Sequence, residues 1–123
     1  MTAFVIGSNR MECLFCKIVA KEIPAKIHYE DDDIVAFHDI AAQAPIHLLI
    51  IPKQHIASLN DVYDENQALL GKLLLTSKRL AIELNIAEAG YRLVNNCRDH
   101  GGQTVHHLHF HLLGGRPMSW PPG

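Results

Sequence analysis

The stretch from Val105 to Leu113 constrains the fold most, because four of the nine histidines fall within six residues. Successive side chains of a β-strand point to opposite faces of a sheet. A strand here would place three imidazoles on one face, those of His107, His109 and His111. The residues between them would enter a core, namely Leu108, Phe110 and Leu112. Neighbouring imidazoles would stand about 7 Å apart, close enough for several to reach one phosphate or one metal ion.

A glycine pair and two polar residues, Gly101 to Thr104, come directly before this stretch. Glycine lets the backbone approach a ligand closely, and successive N–H groups in such a loop form an anion-binding concavity. The Gln103 amide and the Thr104 hydroxyl add donors. An ordinary tight turn is the alternative reading of two glycines, but three aligned histidines beside them favour a phosphate site. A neutral imidazole can also attack phosphorus, because its pKa of about 6.5 leaves it largely unprotonated at pH 7.

Length and charge limit the classes of protein that this chain can belong to. The 123 residues predict a single domain, 13–123, after a flexible N-terminus at residues 1–12. A net charge of −2 without a basic block argues against nucleic-acid binding. The longest apolar run is too short to span a membrane, and residues 1–10 lack the features of a signal peptide. Three cysteines, an odd number, favour a reducing compartment, and we expect a cytoplasmic protein.

Hydrophobic patterns predict an α+β fold with a mainly antiparallel sheet. A short apolar turn or helix is expected at 13–20, followed by strands at 27–30, 34–38, 47–51 and 91–95. Apolar residues from Leu70 to Leu84 recur at three- and four-residue steps and predict one long helix of about 20 residues. Asp61 or Asp64 is expected to cap its start, and Asn85 is expected to end it. Residues 96–103 read as a polar loop, and the histidine strand completes the sheet.

Several motifs together resemble the histidine triad (HIT) family and its nucleotide-binding (Hint) branch. The stretch His107 to Leu113 is similar to the family's His-φ-His-φ-His-φ-φ signature, where φ is an apolar residue. The similarity extends from about Cys13 to the C-terminus. Further matching stretches are 21–26, 36–40, 43–45, His47 with 51–53, 114–116 and the ending 120–123.

The resemblance implies a homodimer whose two five-stranded sheets join, each protomer with one long and one short helix. It implies hydrolysis of purine nucleoside 5′-phosphoramidates, in which His109 attacks phosphorus, a nucleotidyl-histidine forms, and the monophosphate and an amine are released. Asp39 would hold the ribose hydroxyls. Around base and sugar it implies Phe15, Ile18, Phe37, His38 and Ile40. Around the phosphate it implies Asn95, Gly102, Gln103, Thr104, His107 and His111, with His47 supporting the triad and Trp120 reaching the partner's site.

The chain departs from the family pattern at two positions that bear on the phosphate loop. Thr104 stands where serine is common, and the segment 96–100 is one residue longer than in animal relatives. The third triad histidine, His111, is present, whereas the nucleotidyltransferase branch has glutamine there. This favours hydrolysis over transfer. A nucleotide-sensing module and a dinucleoside polyphosphate hydrolase are the alternatives, and the intact triad and the C-terminal motif argue against them.

A separate metal hypothesis rests on Cys13 and Cys16. With His55 and His107 they resemble a zinc pattern of some bacterial family members, and two cysteines with two histidines make a good tetrahedral set. The alternative is that both cysteines are small apolar residues of the core. Catalysis itself is expected to need no cofactor, so any zinc would be structural.

Overall fold

The computed structural model describes residues 12–123. The predicted flexible N-terminus, 1–12, therefore lies outside the described residues apart from Glu12. The sheet is built on β3, Ile46–Pro52, which is buried from its second residue onward. A strand covered on both faces needs apolar residues at consecutive positions, and Leu48 to Ile51 meet that requirement.

Within the described part of the chain, five strands form one sheet in the order β1-β2-β3-β5-β4, with every neighbouring pair antiparallel. The other strands are β1 Ile27–Glu30, β2 Ile34–His38, β4 Tyr91–Val94 and β5 Phe110–Gly114. The helices are α1 Leu14–Val19, α2 Gln67–Glu83 and α3 Arg98–Gly101. This arrangement confirms the predicted α+β fold with one long helix and a five-stranded antiparallel sheet.

Two apolar clusters lie on opposite faces of the sheet. The larger one joins α2 to one face through Leu73 and Leu80, which meet Leu48 and Ile50 of β3. The smaller one lies under α1 on the other face, where Phe15 and Ile18 meet residues of β2 and β3. One face of the sheet therefore packs against α2, and the opposite face packs against α1.

The long helix is shorter than the predicted length of about 20 residues, and it begins after both of the predicted cap residues. It spans 17 residues, and two 3₁₀ turns precede it, Leu59–Asp61 and Asp64–Asn66. Asp61 and Asp64 lie in those turns and do not cap the helix, so that prediction is wrong. Asn85 follows the C-cap with a φ of 61°, the left-handed conformation that ends many helices. No helix within residues 12–123 is both long enough and apolar enough to cross a membrane.

The histidine stretch corrects a second prediction. Regular pairing in β5 begins at Phe110, so His107 and His109 precede the strand. The alternation nevertheless holds on both sides of that boundary. Leu108, Phe110 and Leu112 belong to the cluster under α2, and the histidine rings lie toward α1. The helix α3 is a further difference, because it lies within the predicted loop 96–103.

Candidate active site and metal site

A cavity of about 300 Å³ opens on the α1 face of the sheet. Two of the three aligned histidines, His109 and His111, contribute to its wall. Seven further predicted residues line the same cavity: Phe15, Ile18, Phe37, His38, Asp39, Ile40 and Thr104. Residues separated by almost the whole chain therefore meet in a largely apolar cleft with a few polar groups, the usual form of a small-molecule site.

The hydrogen bond of His109 leaves one ring nitrogen available for chemistry. Its Nδ1 lies 2.7 Å from the carbonyl oxygen of His107, and a carbonyl can only accept. Nδ1 therefore carries the proton, and Nε2 keeps its lone pair. The ring is 4 % exposed and packs edge-on against Phe15, with centroids 5.2 Å apart. His109 is thus a buried imidazole with a defined tautomer at the cavity wall.

A chain of hydrogen bonds also sets the tautomer of His111. The backbone N–H of Gln43 donates to Nδ1 of His47 at 3.0 Å, so His47 carries its proton on Nε2. That Nε2–H lies 2.9 Å from Nδ1 of His111, which must accept it. His111 is therefore protonated on Nε2 and can donate from that atom. One ring at the cavity wall offers a lone pair, and its neighbour offers a proton.

Burial keeps these imidazoles neutral. It lowers the pKa of His111 to about 4, and the nearby His109 and His47 act in the same direction. Burial likewise lowers the pKa of His109, opposed by the hydrogen bond to the His107 carbonyl and by the Asp39 carboxylate. The pKa of His47 is lowered by burial against the opposing charge of Asp39. A neutral His109 is the form that can act as a nucleophile.

Asp39 lies where β2 ends, at the rim of the same cavity. Its backbone N–H donates to the His47 carbonyl, and its Oδ1 accepts from the N–H of Ala41 at 2.8 Å. Its Oδ2 stands 3.4 Å from Nε2 of His47. The side chain is 18 % exposed, so the carboxylate is held by its own loop while part of it still faces solvent. Such a group can accept hydrogen bonds from hydroxyls of a ligand.

Behind the cavity wall, four potential metal ligands converge: Cys13, Cys16, His55 and His107, whose ligand atoms all lie within 4.8 Å of one another. The Nε2 of His107 lies 2.8 Å from the Pro52 carbonyl, so Nε2 carries the proton and Nδ1 presents its lone pair to the cluster. Nδ1 is 3.3 Å from Cys13 Sγ and 3.6 Å from Cys16 Sγ. Burial lowers the pKa of His107 to about 4, which keeps the ring neutral. The donor set, the tautomer and the burial all fit a tetrahedral zinc ion.

A second group of similar spacing consists of Asp39, His47 and His111. It does not fit a metal ion in the same way. Nδ1 of His47 already accepts a hydrogen bond from the Gln43 N–H. The other ring nitrogen, Nε2, which faces Asp39 and His111, therefore bears the proton and has no lone pair for a metal ion. In this group His47 therefore donates a hydrogen bond to His111 and does not serve as a metal ligand.

Six predicted contacts lie outside the cavity wall, and one of them, His47, instead supports His111 through a hydrogen bond. His107 is fully buried and faces the cysteines. The Gln103 side chain is engaged by the carbonyls of Ala57 and Val105 and by the N–H of Arg98, so the structure gives it a role in holding the loop. The remaining three are Asn95, which donates to the His109 carbonyl, Gly102, whose N–H donates to Asp99, and Trp120, which is 82 % exposed.

The cavity also has walls that the sequence did not single out: Leu14, Ile23, Pro24, Ala25, Leu49 and Val105. Three of them belong to the stretch 21–26 that resembles the family, but no polar pattern marks them as ligand contacts. Apolar residues in a cleft read in the sequence as core residues, because the same side chains serve both purposes.

Comparison with known proteins shows the family. Residues 20–118 match the HIT domain model, so the chain belongs to the HIT family. It is 50 % identical over 107 residues to the purine nucleoside phosphoramidase of Escherichia coli K12, covering 87 % of this chain and 90 % of that protein. It is 57 % identical over 112 residues to an uncharacterised HIT-like protein of Synechococcus elongatus, covering 91 % of this chain and 97 % of the relative.

Solved structures agree with this assignment. A HIT family hydrolase from Legionella pneumophila superposes with a TM-score of 0.89 at 58 % identity, covering 90 % of this chain and 99 % of that one. A zinc-bound histidine triad family protein from Mycobacterium smegmatis superposes with a TM-score of 0.74 at 33 % identity, covering 88 % and 78 %. The fold is therefore the HIT fold, and a relative with this fold carries zinc.

Proposed function

We propose that this protein hydrolyses purine nucleoside 5′-phosphoramidates to a nucleoside monophosphate and an amine. One observation carries the proposal: His109 presents an unprotonated Nε2 at the cavity wall beside a proton-donating Nε2–H of His111. A nucleophile next to a hydrogen-bond donor is what phosphoryl transfer needs, because negative charge develops on the phosphoryl oxygens. The 50 % identical phosphoramidase of Escherichia coli supports the same substrate class.

The reaction would proceed in two displacements at phosphorus. Nε2 of His109 forms a bond to phosphorus while the P–N bond breaks, and the leaving nitrogen takes up a proton from solvent and departs as the amine. Water then attacks the nucleotidyl-histidine, which releases the monophosphate, returns a proton to solvent and restores His109. His111 donates from Nε2 to a phosphoryl oxygen, and the His47 hydrogen bond holds it in that tautomer.

The rest of the cavity would bind the nucleoside. Asp39 accepts hydrogen bonds from the ribose hydroxyls, and His38 lies beside it. The purine ring occupies the apolar part of the cleft, between Phe15, Ile18, Phe37 and Ile40. Thr104 is exposed at the cavity wall, where its hydroxyl can reach the phosphate.

A zinc ion would be held by Cys13, Cys16, His55 and His107, as the donor set and the zinc-bound relative support. When bound, it supplies a structural crosslink between these four residues. Each chemical step described above uses side chains of the chain itself.

Replacing the nucleophile tests the proposal. We expect His109→Ala to lower the turnover of adenosine 5′-phosphoramidate by at least about a thousandfold, because no other group would form the covalent intermediate. Binding of adenosine monophosphate, measured by calorimetry, should change little. The matched control is His106→Ala, which removes a neighbouring histidine outside the cavity wall and should retain the wild-type rate.

A parallel assay defines the substrate class. The wild-type protein should release amine from the phosphoramidate much faster than it cleaves a diadenosine polyphosphate. Release of amine by His109→Ala at the wild-type rate would refute the nucleophile. Faster cleavage of the polyphosphate would assign the protein to a different reaction class.

We further propose that the working form is a homodimer joined through β4. This strand lies at the edge of the sheet, so one side of its backbone has no neighbouring strand among residues 12–123. Trp120 is 82 % exposed on its own chain, and the tail that carries it would reach the partner's cavity. Because the chain has an odd number of cysteines, three, and none of them forms a disulfide in the described part of the chain, we place the enzyme in the cytoplasm, where disulfides are rare.

A further inference from the structure

The four metal ligands lie on three separate segments of the chain. Cys13 and Cys16 bracket the first turn of α1, where the Cys16 N–H also donates to Cys13 Sγ at 3.3 Å. His55 belongs to the segment that follows β3, and His107 precedes β5. A metal ion bound by all four would therefore tie α1, the segment after β3 and the histidine segment to one point.

His107 connects the cluster of four metal ligands directly to His109, the proposed nucleophile. Its ring faces the cysteines, while its backbone carbonyl accepts the Nδ1–H of His109 at 2.7 Å. The position of that carbonyl decides which nitrogen of His109 is free. Any displacement of the His107 backbone would therefore release the restraint on the His109 tautomer and ring orientation.

The sheet does not hold this carbonyl, because regular pairing in β5 begins three residues later, at Phe110. Three hydrogen bonds flank it: the His107 N–H donates to the Val105 carbonyl, the Leu108 N–H donates to the Ile56 carbonyl, and the Asn95 side-chain amide donates to the His109 carbonyl. Ile56 is the residue after His55, so one of these contacts also depends on a metal-ligand segment. The His107 side chain itself is held on one side by its Nε2–H, which donates to the Pro52 carbonyl at 2.8 Å, and a metal ion would hold it on the other side through Nδ1.

Phe15 provides a second connection between the cluster and the active site. It lies between the two cysteines in the sequence, and its ring packs edge-on against His107 and His109, with centroids 5.9 and 5.2 Å apart. It also lines the cavity. One wall of the nucleotide pocket is therefore carried by the same helix as the cysteine ligands.

From these contacts we infer that a zinc ion bound by Cys13, Cys16, His55 and His107 is a positioning element of the active site. It fixes the His107 carbonyl that selects the reactive tautomer of His109, and it fixes the Phe15 ring against that imidazole. His107 is accordingly a positioning residue that acts through His109. The inference rests on the proposed function, because the reactive nitrogen of His109 is taken from it.

The coupling acts through position rather than charge. Two thiolates offset the two charges of a zinc ion, so the filled site is net neutral, as is the same site with two protonated thiols. Gain or loss of the ion should then leave the electrostatic field at His109 nearly unchanged. Displacements of about 1 Å at a reacting group are enough to lower a rate by up to about a hundredfold.

The test compares the full-length zinc protein with protein freed of metal by chelation and with two ligand variants, His55→Ala and Cys16→Ser. Zinc content is measured first and should be close to one ion per chain in the wild type. Histidine side-chain ¹⁵N NMR then reports the tautomer of His109. We expect one tautomer, with the proton on Nδ1, when zinc is bound, and a mixture of both tautomers when it is absent. Turnover of the phosphoramidate should fall by roughly ten- to a hundredfold in parallel.

Cys97→Ser is the matched control, because it removes a thiol outside the cluster and should change neither the zinc content nor the tautomer. Backbone amide signals of α2 show whether the metal-free protein remains folded. If a ligand variant does not fold, stepwise return of Zn²⁺ to chelated wild-type protein gives the same comparison. A folded metal-free protein with a single Nδ1–H tautomer and the wild-type rate would overturn the inference, and so would a chain that binds no zinc.

The two proposals fail in different ways. A zinc-dependent tautomer in a protein that does not turn over phosphoramidates supports the positioning role and rejects the proposed reaction. Phosphoramidate turnover that is indifferent to zinc, with an unchanged tautomer, supports the reaction and rejects the positioning role.

Discussion

Four histidines in this protein differ in role because their hydrogen-bond partners differ. His109 and His107 each donate to a backbone carbonyl, but from opposite ring nitrogens, so His109 keeps its lone pair on Nε2 and His107 keeps its lone pair on Nδ1, beside the cysteines. His47 and His111 are ordered by the Gln43 N–H. The backbone N–H or carbonyl at the start of each hydrogen-bond chain thus determines which ring nitrogen carries the proton and which keeps a lone pair.

This is also the limit of what the sequence could predict at residue scale. Alternation placed His109 and His111 on one face and the intervening apolar residues in the core, as observed. The turn of His107 toward the cysteines remained ambiguous, because its partner Pro52 is 55 residues away. Gln103 was predicted as a phosphate donor on its chemistry, whereas its contacts with Ala57, Val105 and Arg98 depend on the folded loop.

The depressed pKa of His111 predicts a pH dependence of stability. An unfolded histidine takes up a proton near pH 6.5, whereas folded His111 does so only at about 4. Between these values the unfolded chain binds more protons, so the free energy of unfolding falls as the pH is lowered from about 6.5 to 4. The expected contribution of His111 is on the order of 2 kcal/mol, after allowance for its partial exposure.

Urea denaturation at several pH values measures this effect. In His111→Gln the slope of the unfolding free energy against pH, taken near pH 5, should correspond to about one proton fewer than in the wild type. An identical slope in both proteins would show that His111 does not titrate differently in the folded state.

At the scale of elements, two glycines distinguish a close contact from an open surface. A Cβ on Gly114, the last residue of β5, would stand 2.5 Å from Cδ1 of Ile86, which is itself buried. A Cβ on Gly71, in α2, would meet no atom within 4 Å. The segment after α2 therefore rests directly on the end of the histidine strand.

The two sites form a matched pair of predictions. Gly114→Ala should destabilise the protein by roughly 1–3 kcal/mol, because the added methyl overpacks the contact with Ile86. Gly71→Ala should stabilise it by roughly 0.5–1 kcal/mol, because alanine favours a helix interior. Thermal unfolding of both variants gives the comparison, and equal shifts in Tm would contradict it.

Elements with a clear hydrophobic pattern were predictable, and the element without one, α3, was not. The strands 27–30 and 34–38 were predicted with their observed bounds, and α2 was predicted by its apolar stripe. The four-residue helix α3 has no such stripe. It starts with Arg98 at a φ of 57° and ends at Gly102 at a φ of 80°, so long-range contacts rather than local pattern define it.

At the scale of the whole molecule, the two faces of the sheet have different roles. The face under α2 carries the larger core, and the face under α1 carries the cavity and the four metal ligands. The alternation in the histidine stretch predicted one part of this division, namely that the histidines and the core residues between them lie on opposite faces.

Light scattering tests the proposed dimer. We expect a particle of twice the 13.7 kDa chain mass. Hydrogen exchange should show protection at β4, where the outward backbone groups would pair with the partner. Trp120→Ala should alter the rates for bulky amine leaving groups more than for ammonia. A fully active particle of single-chain mass would contradict the proposal.

The alternation around His109 also has a consequence for how such a sequence can change over time. Substitutions in the segment 107–112 affect one face at a time, so either the site or the core can adapt separately. A single-codon insertion or deletion within the segment would exchange the two faces, sending imidazoles toward Leu73 and Leu80 and apolar side chains toward the cavity. This short stretch should therefore accept point changes far more readily than any change in its length.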